Sequence, residues 1–150
     1  MRLLFAVAVL ASMIVPAAAA DKESLAREIL KIRSAVEIGT DKQEMTALAK
    51  SLAVEFSMAK RSKAITQQIE ASTSNLATTI ALTVRYWDIC PEITWDNGYM
   101  NCQRDADTFF RAINSSRTAY TDPHLPWKPF ASYVLPEILE RSDKALADLK

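Results

Sequence analysis

Glycine and cysteine occur only twice each in these 150 residues, histidine once, and neither charge is in excess, with 18 basic and 18 acidic residues. Each shortage excludes something. Without a basic surplus there is nothing to neutralise a run of phosphates, so nucleic acid is not an expected partner. A single imidazole leaves histidine-rich metal sites without material. Two glycines argue against collagen, against glycine-rich phosphate loops and against a turn-dense β-sandwich. Proline is absent from residues 21–85, which leaves that stretch free to run as long helix. What is plentiful is apolar: 49% of the chain, too much for a solvated, disordered tail.

The N-terminus reads as an address. Met1-Arg2 supplies one positive charge, Leu3 to Val15 is apolar except for Ser12, Pro16 interrupts, and Ala17–Ala20 offers the small residues a signal peptidase needs. This three-part pattern predicts a secretory signal over residues 1–20, cleaved before Asp21. The competing reading is a retained anchor, for which the apolar run is at the short limit. The alanine run after Pro16 favours cleavage, and no cysteine stands nearby for a lipid. The leader looks bacterial, so the expected location is periplasmic or secreted. Loss of Arg2 takes the 18 basic residues to 17 against 18 acidic. Residues 21–150 are enough for a single domain with a core of its own, and no later apolar run approaches spanning length.

Periodicity predicts helices throughout. Leu25, Ile29, Ile32 and Val36 recur at helical spacing and define a first helix over about 21–37, with Gly39 as its stop. Thr40 is the expected cap of a second helix, with Gln43 three residues on. Met45, Leu48, Leu52, Phe56 and Ala59 form that helix's inner stripe, and Ile65 and Ile69 extend it past Lys60, Arg61 and Lys63. Ser72-Thr73-Ser74-Asn75 predicts a break or a bend, because short polar side chains compete for backbone hydrogen bonds. Leu76, Ile80, Val84 and Trp87 resume the spacing until Cys90-Pro91. A further helix is expected over about 102–120. Thr121–Pro129, with three prolines, reads as irregular, and a last helix begins near Phe130 or Pro136 and ends at Leu149, with Pro136 suited to a first turn. No stretch alternates with period two. The expected fold is all-α: an antiparallel bundle of four to five helices tied by one disulfide, following a cleaved signal peptide.

In an oxidising compartment Cys90 and Cys102 are expected to pair. The enclosed residues include Pro91, Trp95, the turn signal Asp96-Asn97-Gly98, and Tyr99. Closing a loop of this size stabilises by about 3 kcal/mol in the chain-entropy description. A redox or nucleophilic cysteine is the other reading, but there is no Cys-x-x-Cys spacing and no evident base. The step from Cys90 to Cys102, with Thr94 between and Met100-Asn101 before the second cysteine, resembles a family of small secreted lysozyme inhibitors in which a similar pair clamps helices. The resemblance covers the cysteine segment alone, and the family's pattern after the second cysteine is not matched.

Catalytic sets are incomplete. Asp105 and Asp107, two apart on an expected helix, do not face one another. His124 is the only candidate base and reads as a loop residue, with no nucleophile elbow to serve. A carboxylate pair of the glycosidase type has no local signature and stays open. Asn114-Ser115-Ser116 matches a glycosylation sequon. Lys60-Arg61-Ser62-Lys63 reads as a solvated face rather than a membrane or phosphate site. Of the twelve aromatic residues, ten lie at or after Tyr86. Tyr86, Trp87, Trp95, Tyr99, Trp127, Phe130 and Tyr133 lie in or beside the two loop regions and read first as core, with Trp87 on a helical stripe; under the contact-surface reading Trp95, Tyr99 and Trp127, expected on loops, are the candidate partner-binding residues. The reading favoured by these features is an exported, non-enzymatic helical protein that binds a partner, expected to be another protein, with an inhibitor- or immunity-like role as one version. It requires no cofactor and no metal. A small envelope enzyme using carboxylates and a carrier of a small apolar ligand are the alternatives.

Overall fold

The computed structural model describes residues 17–89, Arg111 and residues 127–150. Four long helices account for nearly all of it: α1 (Ala17–Ile38), α2 (Lys42–Arg61), α3 (Gln67–Ile89) and α4 (Trp127–Asp148). At 20 to 23 residues each, they are about 30–35 Å long. Among the described residues there is no strand.

The helices form a closed ring. α1 packs on α2 and α4, and α3 packs on α2 and α4, while among the described residues the backbones of the diagonal pairs stay apart. Ion pairs and hydrogen bonds fix the directions. Lys42 at the start of α2 pairs with Asp88 at the end of α3, and Lys60 near the end of α2 pairs with Glu70 near the start of α3. Gln68 Nε2 donates to Asp148 at 2.7 Å, and Arg141 reaches the Asn75 carbonyl at 3.4 Å. Early positions therefore meet late ones at each of these interfaces, and the bundle is antiparallel, up-down-up-down.

In α1 and α2 the core follows the expected stripes, and α3 and α4 add residues outside them. Leu25, Ile29, Ile32 and Val36 of α1 are buried, as are Met45, Leu52 and Ala59 of α2, with Leu48 and Phe56 at the margin. α3 contributes Ile69, Leu76, Ile80 and Tyr86, with Val84 and Trp87 packed against them. α4 contributes Val134, Ile138, Ala145 and Leu149. Each side chain of Leu or Ile size truncated here removes about 2–5 kcal/mol of stability.

The links differ from expectation in instructive ways. Gly39 ends α1 with φ +102°, a conformation open to glycine and strained for other residues. The cap of α2 is Asp41 rather than Thr40. Its carboxylate accepts from Glu44 N at 2.8 Å, and the Thr40 hydroxyl donates to the Glu44 carboxylate at 3.0 Å. The capping pair is shifted one residue along, because Asp41 is the position with extended backbone, φ −96° and ψ 171°. The second helix does not continue through Ile65. It ends at Arg61, Lys63 turns the chain at φ +56°, and Thr66 starts α3 by accepting from Ile69 N at 3.3 Å.

Conversely, α3 is continuous through Ser72–Asn75. Ser72 Oγ bonds back to the carbonyls of Gln68 and Ile69, Thr79 Oγ1 to Asn75 and Thr83 Oγ1 to Thr79. Of the hydroxyls expected to interrupt the helix, that of Ser72 is absorbed by it, while that of Thr73 is buried without a partner. α4 begins at Trp127, inside the stretch expected to be irregular, and carries Pro136 in its interior instead of its first turn. Pro129 falls in the first turn, where a missing N–H costs nothing, whereas Pro136 deletes one bond of the ladder. α1 starts at Ala17, so its first turn is the alanine run, and Asp21 lies one turn inside.

Candidate functional site

The three links between the four helices define the two ends of the bundle. The three-residue turn 39–41, the end of α3 and the start of α4 all lie at one end, as the Lys42–Asp88 pair and the antiparallel α3–α4 packing require. The turn 62–66 and the chain end Lys150 lie at the other. Both attachment points of segment 90–126 are therefore at the first end. Cys90, Cys102, Trp95 and Tyr99 lie outside the described residues, as do Asp105, Asp107, Asn114 and His124. Trp127 is placed by its backbone as the first residue of α4, at that same end, and not on a loop.

A groove between α1 and α2 opens toward this end. Leu30, Ala35, Ile38 and Leu48 give it an apolar floor and edge, and Arg27, Lys31 and Glu44 give it charge. Ile38 is 86% exposed and Leu30 50% exposed. They are separated by eight residues, with Ser34 midway, so all three stand on the line of α1 opposite its buried stripe. On the other flank of Leu30 a second groove, toward α4, is lined by Ala26, Leu146, Ala147 and Leu149 with Asp143 and Lys150. Leu30 is thus the shared ridge between two apolar clefts.

The polar groups around these clefts are tied down. Glu28 is buried beneath the α1–α2 contact, where Lys31 Nζ donates to it at 2.5 Å. The bond from Lys31 holds its carboxyl below the usual 4.5, and the Ser51 hydroxyl adds to this, against the opposing effect of burial. Arg33 spans α1 and α4, with Nε donating to Asp143 at 2.6 Å and its guanidinium also pairing with Glu37 at 2.7 Å. Asp143 and Glu37 keep the guanidinium charged, with its pKa raised. Asp148 is held below its ordinary 3.8 by the bond from Gln68 first, then Ser72, with Lys144 contributing. These groups fasten helices together.

The basic stretch Lys60-Arg61-Ser62-Lys63 divides. Lys60 pairs with Glu70 and lies over the Phe56 ring at 5.5 Å from its centroid. Ser62 caps α2 and Arg61 bonds back to Ser57. Lys60 and Arg61 also sit at the negative end of the helix dipole. Among the described residues, no group of three or more His, Cys, Asp or Glu side chains could hold a metal ion, and no helix is long and apolar enough to cross a membrane. Tyr86 is buried, and Trp87 and Tyr133 pack against the core, so these three aromatics are structural. The Leu30–Ile38 line escaped the sequence reading because Ile38 and Leu30 are ordinary residues in a helix rich in Ile and Leu. Only their angle, opposite the stripe of Leu25, Ile29, Ile32 and Val36, marks them.

Compared with known protein families, with curated proteins and with solved structures, the chain matches none.

Proposed function

We propose that this chain is an exported, non-enzymatic helical protein that binds a protein partner at one end of its bundle. The observation that carries the reading is the convergence at that end: the outward Ile38, the apolar groove from Leu30 to Leu48, the start of α4 at Trp127, and both attachment points of the aromatic segment 90–126. A rigid bundle that holds a connecting segment at one end, beside an exposed apolar groove, is a common basis for recognition. Trp95, Tyr99 and Trp127 are the proposed aromatic anchors, and a Cys90–Cys102 disulfide would restrain their segment.

Export belongs to the same proposal. Cleavage after Ala20 would leave Asp21 and Glu23 in the first turn of α1, where negative charge favours the helix. Intact-mass measurement of the protein from its native compartment tests this: a chain beginning at Asp21 and two mass units lighter than the dithiol is expected. Retention of residues 1–20, or two free thiols, would remove export or the disulfide from the proposal.

The binding reading is tested by crosslinked capture from the native compartment, comparing the native protein with Ile38→Asp and with Trp95→Ala/Trp127→Ala. One partner captured by the native form and lost by variants that keep their helical content supports it. A partner held equally by all three forms would place the surface elsewhere. A folded Trp127→Ala protein is part of the expectation, and loss of its fold would assign Trp127 to the core.

A further inference from the structure

We infer that the outer face of α2 docks on an anionic lipid surface. The proposal stands apart from the partner-binding end and uses other residues. Ala47, Lys50, Val54, Met58 and Arg61 follow one another at spacings of three and four and are all exposed, opposite the buried Met45, Leu52 and Ala59. Val54 is 56% and Met58 43% exposed. They are the two most exposed large apolar side chains outside α1 among the described residues. Lys50 and Arg61 bracket them, and exposed Lys63 follows in the turn.

Among the described residues, the charges on this face have no acidic partner. Lys42 and Lys60 have acidic partners in α3, as do most cations of α1 and α4 in their own surroundings. Lys50, Arg61 and Lys63 have none among the described residues, and Arg61 bonds only to Ser57 of its own helix. The two acids of α2 lie off the line, and Glu44 is engaged by Thr40 and Asp41. A row of basic residues with aliphatic side chains between them, without an interspersed acid, complements a negatively charged surface that also accepts apolar groups.

Geometry favours a planar partner over a single acidic helix. The outer face of a straight helix is convex, and a plane can touch the whole line at once. Lys50 and Arg61 are eleven residues apart, about 16 Å along the axis, a separation suited to several headgroups rather than one carboxylate. Among the described residues Ala47, Lys50, Val54, Met58 and Arg61, the face holds no aromatic side chain to anchor a specific partner residue. Binding of this kind is weak and sensitive to salt.

The test is sedimentation of the protein, purified from the compartment where it accumulates, with vesicles of phosphatidylglycerol and phosphatidylcholine in equal parts, and with phosphatidylcholine alone. Binding to the anionic vesicles only, declining with added salt, is expected. Each basic residue at such a surface strengthens binding about fivefold, so Lys50→Gln/Arg61→Gln is expected to weaken it by about twentyfold or more. Val54→Ser/Met58→Ser should weaken it severalfold. Lys144→Gln/Lys150→Gln, which removes the same charge from the diagonally opposite helix region, should change it by less than twofold. All six positions are on or near the surface, and thermal melts of the variants should match the native protein closely. No binding to anionic vesicles at low salt would overturn the proposal. Equal losses from the Lys50/Arg61 and Lys144/Lys150 pairs would also overturn it, since net charge and not this face would then be responsible. Unchanged binding by the Val54/Met58 variant would remove the apolar contact on which the face was chosen.

Discussion

Residues 62–66 and residues 72–75 are an instructive pair. The first stretch lies where apolar spacing continues through Ile65 and Ile69, yet the chain turns there. The second is four short polar residues in a row, yet it is the middle of a helix. In the first, a positive-φ lysine and a threonine cap provide the turn. In the second, Ser72 and Thr73 are buried and Ser74 and Asn75 are exposed, with the neighbouring hydroxyls bonded to carbonyls one turn back. Local preference for a break is worth tenths of a kcal/mol per residue, whereas burying Ile69, Leu76 and Ile80 together is worth several. The helix continues where continuing buries more, and stops where two antiparallel helices must be joined.

Mutations can invert or sharpen this contrast. Asn75→Pro should be the most damaging, costing about 3 kcal/mol or more, since a proline in the interior of α3 deletes a bond and clashes with the preceding turn. A melting curve close to native would mean that 72–75 is a break after all. Thr73→Val tests the one hydroxyl of the seam that stays without a partner. An isosteric apolar replacement should raise stability by about 1–3 kcal/mol in denaturant unfolding. The same change at Thr79, whose hydroxyl is bonded at 2.8 Å, should instead be neutral or slightly destabilising. Thr66→Ala should cost about 1 kcal/mol by removing the cap of α3, while Ser74→Ala, exposed in mid-helix, should gain about 0.5 kcal/mol. Reversal of those two signs would exchange the roles of the two stretches.

The smallest effect near neutrality is that of pH. Glu28 and Asp148 have folded-state pKa values below their ordinary 4.5 and 3.8. Their contribution is therefore complete above those values and is lost as pH falls through the lower, folded ones. Chemical denaturation should show a midpoint insensitive to these two groups between pH 6 and 8 and falling below about pH 4. Glu28→Gln should flatten that acid decline and cost stability at pH 7.

The site was less legible than the fold. Leu25, Ile29, Ile32 and Val36 are all buried as spacing implied, and of the stripe Leu76, Ile80, Val84 and Trp87 the first two are buried and the last two pack at the core's margin, because the apolar pattern is a direct record of which face is inside. The groove at Ile38 had no such record. An exposed isoleucine is recognised only by knowing which neighbours are missing around it. The cap at Asp41 was one residue from its expected place, since Thr40 and Asp41 are both good caps and only backbone geometry chooses between them. Trp127 was placed outside helix by its prolines, but a proline in a first turn is compatible with helix, and the interior Pro136 is carried by the packing of Val134 and Ile138.

The amino-acid sequence alone determined the all-helical class of the described residues, the inner faces of α1 and α2, much of that of α3, and the stop at Gly39. These are local matters of spacing and of which backbone angles a residue permits. Only the tertiary structure decided that 72–75 stays helical, that α2 and α4 lie diagonally across a closed ring, and that Leu30, Ile38, Val54 and Met58 face outward. Those outcomes depend on which surfaces meet across the bundle, where burial gathered over many residues outweighs the preference of any one of them.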